Sequence, residues 1–258
     1  MSEFIKTGDR IVCKPQGLDY QLEAGKVYDL CYDDYNSVSY LKENGELNLP
    51  NKLYTTNTDD NFINRILVSH TNSSNNTTGV LLYGSKGTGK SICAKRIAKE
   101  SNLPIIIVSD NYYASWLIYF FKQFKQEVCI IFDELEKNQR YWDTRQILKF
   151  LDGIESTCKK LVLFTCNEID NLDDNLFDRC SRIRYIREYT YDDNKEIINS
   201  IAKERNISKK DLTYIYKTVE VLSIDNCISI FNEMEMFPTL SIEEIIKYMN
   251  ITENDNED

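Results

Sequence analysis

A glycine-rich segment between residues 84 and 91 has the composition of a phosphate-binding loop. It matches G-x-x-x-x-G-K-[ST] with Gly84, Ser85, Lys86, Gly87, Thr88, Gly89, Lys90 and Ser91. Glycines let such a loop wrap so that backbone N–H groups and the next helix N-terminus face phosphate oxygens. The lysine then binds the β- and γ-phosphates, and the hydroxyl after it ligates Mg²⁺. We therefore expect Lys90 to bind nucleotide phosphates and Ser91 to bind the metal ion.

Two adjacent carboxylates, Asp133 and Glu134, follow the apolar run 128–132. In a doubly wound sheet the carboxyl ends of the strands face the ligand, so Asp133 is predicted to reach the Mg²⁺ of the same nucleotide. Glu134 is then placed to orient or deprotonate the attacking water. An acidic pair after a strand is by itself more often a solvated turn. The phosphate-loop motif upstream is what favours the catalytic interpretation.

The elements that must position these residues alternate between strand and helix from residue 79 onward. Apolar runs without polar alternation are typical of parallel strands buried on both faces, and they indicate an α/β domain. The predicted strands cover residues 80–83, 104–108, 128–132 and 160–166. The predicted helices cover residues 90–101, 112–125 and 144–151.

Both ends of the chain differ from this pattern. The start has short Val-, Ile- and Tyr-rich runs and the turn signal Glu43-Asn44-Gly45, which predict a small β-barrel. The end has only helical periodicities, at 193–205, 209–221, 224–236 and 242–249. The sequence thus predicts an N-terminal β-barrel domain (1–55), a parallel-sheet core (56–188), a helical region (189–249) and an acidic disordered tail (250–258).

Four segments occur in an order that resembles the AAA+ ATPases. Residues 81–98 look like the first strand, phosphate loop and helix of that superfamily, and 147–153 look like its helix ending in Leu-Asp-Gly. Residues 164–167 resemble the strand that ends in the sensor asparagine, and 171–182 resemble the segment with the trans-acting arginines. The resemblance covers about residues 56–249. It implies a P-loop NTPase core in which residues 189–249 form the helical lid, with ATP and Mg²⁺ as cofactors.

The resemblance also assigns roles to three further residues. Asn167 is expected to hydrogen-bond the γ-phosphate or the lytic water, although a strand-end asparagine is often only a helix cap. Arg179 and Arg182 keep the spacing of the AAA subgroup's arginines, which act on the neighbouring subunit's nucleotide. The alternative for both arginines is a surface salt bridge. If they act in trans, a monomer cannot complete its active site.

Three departures from the family pattern limit what carries over. Arg-Cys-Ser-Arg replaces the common Arg-Pro-Gly-Arg, and the interval 109–127 contains no glycine and so lacks the usual pore motif. Tyr112, Tyr113 and Trp116 either line a pore or belong to the core, and helical spacing favours the core. The stretch 222–227 contains no arginine, which fits the AAA subgroup better than clamp loaders.

Composition restricts the partners. With 31 basic and 41 acidic residues the net charge is −10, so no charge footprint favours non-specific binding to DNA. No apolar run approaches the roughly 18 residues of a membrane span, and the first ten residues lack a signal core, so we expect a cytoplasmic protein. The 24 asparagines and 5 alanines suggest an AT-rich coding genome, and if that genome is viral the expected location is the host cytoplasm.

The leading hypothesis is therefore a hexameric AAA+ ring that hydrolyses ATP with Mg²⁺ and remodels a protein or protein complex. Its partners are ATP and ADP, further copies of itself, and a protein substrate or adaptor bound by the N-terminal domain. One alternative is a clamp-loader-like replication accessory acting on DNA-bound complexes. A second alternative is an ATP-binding scaffold or switch that hardly hydrolyses ATP, against which the carboxylate of Glu134 argues.

Overall fold

A computed structural model describes residues 4–13, 20–33, 38–73, 77–108, 114–138, 149–152, 158–172, 174–176 and 182–251. The chain divides into two compact units. The first contains residues 1–51, 59–84 and 90–188, and the second contains residues 52–58, 85–89 and 189–258.

The first unit is built on a nine-stranded sheet with the order β1-β2-β4-β3-β6-β7-β8-β5-β9. Its central strands β6, β7, β8 and β5 pair in parallel. The strands are β1 (Phe4–Thr7), β2 (Arg10–Cys13), β3 (Lys26–Asp33), β4 (Val38–Glu46), β5 (Thr77–Gly84), β6 (Ile105–Val108), β7 (Val128–Phe132), β8 (Lys160–Cys166) and β9 (Ile183–Tyr189). The predicted α/β fold with a parallel sheet is thus confirmed.

The central strands follow directly from their apolar runs. Every residue of β7 and β8 is buried, as expected for strands covered on both faces. The two strands pair in register with Phe132 beside Phe164, and the two rings stack with their centroids 5.1 Å apart. Both strands have the predicted bounds. Their register sets where each strand ends, and hence where the polar residues that follow them lie.

Three helices belong to the same unit: α1 (Asn57–Asn72), α2 (Lys90–Glu100) and α3 (Ala114–Lys122). Helix α2 buries Cys93, Ala94, Ile97 and Ala98, whose spacing of three and four residues produces one apolar face. Most of the helix predicted at 144–151 lies outside the described residues. Residues 149–151, which are described, are helical. None of the helices in the described ranges is long and apolar enough to cross a bilayer.

The N-terminal strands do not form a barrel, so the prediction of a separate β-barrel domain over residues 1–55 is wrong. Strand β3 pairs in parallel with β6, with Val27 beside Ile105, and β4, β2 and β1 extend the sheet from there by antiparallel pairing. Tyr28 and Leu41 are fully buried in the same hydrophobic core as Phe121. The strands are stable as an extension because β6 offers a free edge and the core offers apolar surface.

The turn predicted at Glu43-Asn44-Gly45 is also wrong, because β4 continues through it to Glu46. The register with β3 shifts from the pair Lys26 and Glu46 to the pair Tyr28 and Glu43. Gly45 has a φ of 78° within this irregularity. The glycine thus serves a β-bulge, a feature with the same local signature as a turn.

The second unit is helical, with α4 (Tyr191–Glu204), α5 (Lys209–Thr218), α6 (Ile224–Met236) and α7 (Ile242–Tyr248). These bounds agree closely with the four predicted helices. Each helix starts directly after a serine or threonine, and the side chains of Ser208, Ser223 and Ser241 accept a hydrogen bond from the backbone three residues later. Ile198, Ile201, Ile230, Phe231 and Ile246 form part of the buried core of this unit.

The attachment of the N-terminal segment to the core predicts the effect of one substitution. The Gln126 side chain accepts from the Leu22 N–H at 2.9 Å and donates to the Leu22 carbonyl at 2.7 Å. Gln126→Ala leaves both backbone groups without these bonds, so we expect the free energy of unfolding to fall by about 1–3 kcal/mol. Hydrogen exchange measured by mass spectrometry is expected to quicken in β3. The control is Gln123→Ala, because Gln123 directly follows α3 and its side chain bonds locally, to the Tyr119 carbonyl of that helix.

The same exchange experiment on the unaltered protein tests the sheet extension itself. Amides of β3 are expected to be protected to the same degree as those of β6, because the two strands share one ladder. Fast exchange in β3 alongside slow exchange in β6 would contradict the pairing of these two strands. It would instead support the prediction that the N-terminal strands form a separate domain.

Candidate functional site

The phosphate-loop motif occupies the connection between β5 and α2, where the sequence predicts it. Gly87 and Gly89 have φ values of 72° and 93°, which side-chain-bearing residues rarely adopt. A Cβ added at Gly87 would lie 2.5 Å from the Cβ of Ser223, and the Ile224 N–H donates to the Gly87 carbonyl at 3.1 Å. The Thr88 hydroxyl donates to the Ser85 carbonyl at 2.7 Å. Both the backbone shape and this close approach therefore require glycine at position 87.

Lys90 is buried, and its ammonium donates to the Gly84 carbonyl at 2.7 Å. Burial lowers the pKa of Lys90, because it penalises the charged form. The negative charges of Glu136, Asp133 and Glu134 act in the opposite direction. The lysine thus lies at the loop in strongly acidic surroundings, where a cation balances several carboxylates.

Asp133 and Ser91 lie together, as predicted for a Mg²⁺ site. The Ser91 hydroxyl donates to Asp133 Oδ1 at 3.0 Å, and the carboxylate is exposed to solvent. Mg²⁺ in nucleotide sites takes one or two protein oxygens and completes its shell with water and phosphate. The described residues contain no group of three or more His, Cys, Asp or Glu side chains that could hold a metal by themselves. The hydroxyl and carboxylate pair fits the smaller ligand set that Mg²⁺ needs.

Glu134 and Asn167 meet at the carboxyl ends of β7 and β8. Glu134 has a φ of 52°, an unusual conformation for a residue with a side chain. Asn167 Nδ2 lies 3.4 Å from Glu134 Oε1. The structure therefore brings together Asp133, Glu134 and Asn167, which the sequence predicts as one site.

Two residues at this site were missed by sequence reasoning. Glu136 Oε1 accepts from both the backbone N–H of Asn167, at 3.0 Å, and its side-chain Nδ2, at 2.5 Å. Thr165 Oγ1 donates to Asp133 Oδ1 at 2.5 Å and accepts from the Glu134 N–H at 2.8 Å. The available signals were a third acid soon after Glu134 and a hydroxyl in the otherwise apolar run of β8.

Cys166, the last residue of β8, is buried, and its thiol donates to the Glu168 carbonyl at 3.1 Å. Burial, together with the nearby Glu136 carboxylate, raises the pKa of Cys166 to about 12. A thiol with so high a pKa is uncharged at neutral pH and is a poor nucleophile. Cys166 thus acts as a small core residue, and the charged chemistry at this edge comes from the carboxylates and Lys90.

Arg182 forms an ion pair within its own chain. Its Nε lies 2.8 Å and its Nη2 3.2 Å from the two oxygens of Asp152, and Nη1 donates to the Asn175 carbonyl at 2.8 Å. A Cβ added at Gly79 would lie 2.1 Å from the Arg182 carbonyl, so the backbone here is close against β5. Arg179, Tyr112 and Tyr113 lie outside the described residues. The trans-acting roles of Arg179 and Arg182 stay predictions.

The two hydrogen bonds that Glu136 accepts from Asn167 predict that Glu136 contributes to the stability of the fold. We expect Glu136→Ala to lower the free energy of unfolding by about 1–3 kcal/mol, because the partly buried N–H of Asn167 loses its acceptor. Glu136→Gln keeps a carbonyl oxygen and is expected to lose less. Urea denaturation measures both, with Glu46→Ala at the exposed end of β4 as the control. An equal loss in the Ala and Gln variants contradicts the acceptor role.

Comparison with known proteins gives one family match. Residues 80–188 match the model of the ATPase family associated with various cellular activities (AAA). This segment contains every residue that the structure brings together at the carboxyl ends of β7 and β8.

Curated relatives include ATP-dependent zinc metalloproteases FtsH. That of Mycoplasmoides gallisepticum is 29% identical over 157 residues, which are 51% of this chain and 20% of the relative. That of Mycoplasma pneumoniae is 31% identical and covers 51% of this chain and 22% of the relative. That of Aquifex aeolicus is 26% identical over 68% of this chain and 32% of the relative. The chain thus spans less than half the length of these relatives.

Among solved structures, the crystal structure of a DNA replication initiation factor aligns with a TM-score of 0.50 at 15% identity. The alignment covers 75% of this chain and 66% of that chain. At this identity the likeness concerns the fold alone. The family match agrees with the resemblance to the AAA+ ATPases that the motifs carry, and it concerns residues 80–188.

Proposed function

We propose that this protein hydrolyses ATP to ADP and phosphate with Mg²⁺. The observation that carries the proposal is the contact network that joins Ser91, Asp133, Glu134 and Asn167 at one edge of the sheet. Each residue has the chemistry that one part of phosphoryl transfer requires. A nucleotide-binding scaffold has no need of this complete set.

The proposed roles follow from the positions of the side chains. Lys90 binds the β- and γ-phosphates, and Ser91 and Asp133 hold Mg²⁺, which supplies charge neutralisation at the phosphates. Glu134 orients the attacking water and accepts its proton. Asn167, whose amide is neutral, hydrogen-bonds the γ-phosphate or that water without adding charge beside Glu134. The acidic surroundings of Lys90 are then offset by the metal ion.

We propose further that the active enzyme is a hexameric ring in which Arg179 and Arg182 reach the neighbour's nucleotide and residues 189–249 act as a lid. The family match supports the arginine roles. The ion pair between Arg182 and Asp152 gives Arg182 a structural role in its own chain as well, so Arg179 is the stronger candidate for the trans contact. Remodelling of a protein that docks on the N-terminal strands completes the proposal.

Other activities have less support. The sequence contains one histidine, His70, and therefore no H-E-x-x-H motif, so the peptidase activity in the name of the FtsH relatives is not proposed for this chain. The net charge of −10 disfavours the clamp-loader alternative. DNA binding measured at two salt concentrations tests that alternative, because a phosphate-contacting protein loses affinity as salt rises.

The hydrolytic role predicts the behaviour of Glu134→Gln. We expect turnover to fall by about 10²- to 10⁴-fold, because the amide cannot accept a proton from water. ATP binding is expected to persist, since Lys90 and the loop are unchanged. Steady-state phosphate release and equilibrium binding of ATP measure the two effects. Undiminished turnover in Glu134→Gln would contradict the role proposed for Glu134. Absence of turnover in the unaltered protein would favour the scaffold alternative.

The trans arginine predicts complementation between two inactive variants. Arg179→Ala keeps an intact nucleotide site, and Lys90→Ala keeps the arginine. Each alone is expected to be nearly inactive, with a loss of about 10³-fold or more for the arginine variant. Mixing them creates interfaces at which an intact Lys90 site faces an intact Arg179, so turnover is expected to return.

Two controls make the mixing experiment decisive. Light scattering verifies that both variants assemble, and Asp152→Asn separates the intrachain ion pair of Arg182 from any trans role. Specific activity of the unaltered protein is expected to rise with protein concentration and then level off. Activity independent of concentration, with no recovery on mixing assembled variants, contradicts a site shared between subunits.

A further inference from the structure

The hydroxyl of Thr165 forms hydrogen bonds with both Asp133 and Glu134. Thr165 is 1% exposed and is the second-last residue of β8. Its Oγ1 donates to Asp133 Oδ1 at 2.5 Å and accepts from the Glu134 N–H at 2.8 Å. A hydroxyl has one hydrogen and two lone pairs, so both bonds form at once. This side chain therefore contacts both residues that the proposed reaction depends on.

The register of the sheet explains why a side chain makes these bonds. Phe132 pairs with Phe164, and β7 ends at Phe132. The chain then leaves the ladder, and Glu134 adopts its φ of 52°. An N–H that has left a ladder needs another acceptor, since an unpaired buried donor is costly. The Thr165 hydroxyl accepts this hydrogen bond from the Glu134 N–H, just beyond the end of β7.

The same hydroxyl also fixes the metal-side carboxylate. Asp133 Oδ1 accepts from Ser91 at 3.0 Å and from Thr165 at 2.5 Å, so the two hydroxyls hold it from two elements, α2 and β8. Carboxylates in metal sites depend on such partners for their orientation. Loss of the Thr165 bond leaves Asp133 with less restraint.

We propose that Thr165 is a positioning residue for ATP hydrolysis. It acts through two others, holding Asp133 toward the metal and the backbone of Glu134 in the conformation that aims its carboxylate at the water. This inference rests on the proposed function. The buried Thr165 hydroxyl thereby keeps the metal ligand, Asp133, aligned with the general base, Glu134.

Substitution by valine tests the hydroxyl while keeping the branched shape. We expect Thr165→Val to lower kcat by about 10²-fold, the loss associated with a misplacement of about 1 Å at a reacting centre. The KM for ATP is expected to change little, because none of the Thr165 bonds above involves Lys90 or the loop. The Mg²⁺ concentration for half-maximal turnover is expected to rise, because Asp133 loses one of its two hydroxyl donors. A purely structural role predicts no shift in the Mg²⁺ requirement.

Two further variants separate the hydroxyl from the methyl group. Thr165→Ser keeps the hydroxyl and is expected to recover most of the turnover. Thr77→Val is the matched control, since Thr77 is buried on the neighbouring strand β5 and its Oγ1 has no hydrogen-bond partner among the described residues. Its turnover and Mg²⁺ requirement are expected to match those of the unaltered protein.

The outcomes are distinguishable from failure of the proposed function. If the unaltered protein does not hydrolyse ATP, the proposed function and this inference both fall. If it does, turnover of Thr165→Val close to that of Thr77→Val, with the same Mg²⁺ requirement, overturns the inference alone. An equal loss in the Ser and Val variants also overturns it, because the methyl group is then what matters. If the valine variant does not fold, Thr165→Cys, with a weaker donor and acceptor, is expected to give an intermediate loss.

Discussion

The parallel pairing of β7 with β8 is the constraint on which the site depends. With Phe132 and Phe164 stacked across the two strands, both chains leave the sheet at the same level. Asp133 and Glu134 then follow one strand, and Thr165 to Asn167 end the other. A slip of the register by one residue would turn each of these side chains to the opposite face of the sheet. The buried aromatic pair thus contributes to function through the position that it gives to polar residues beyond it.

The site concentrates negative charge at the ends of these strands. The negative charges of Glu136, Asp133 and Glu134 all act on the buried ammonium of Lys90. Carboxylates kept this close need donors, and the chain supplies the hydroxyls of Ser91 and Thr165 and the amide of Asn167. These donors orient the carboxylate oxygens. An acidic site with oriented oxygens is well matched to a metal ion accompanied by phosphate.

The sheet contains more strands than the four that the apolar runs around the motifs predict. Four N-terminal strands extend it beyond β6, and β3, the one that pairs with β6, is parallel to it. An uncovered edge strand offers unpaired N–H and C=O groups to other chains, and β3 occupies those of β6. The Gln126 side chain, which bonds both backbone groups of Leu22, ties the start of this extension to the core. The N-terminal strands therefore belong to the same sheet as the parallel core rather than to a module appended to it.

What the sequence alone determined were features with local causes. The phosphate loop, the carboxylates after β7, Asn167 and the four helices after Tyr189 were all predictable, because short apolar runs, helical periodicity and capping serines act over a few residues. Only the tertiary structure decided which edge β3 joins, that Arg182 pairs with Asp152, and that Thr165 and Glu136 belong to the site. These contacts join residues about 30 or more positions apart. Their geometry depends on strand order and register, which no local pattern encodes.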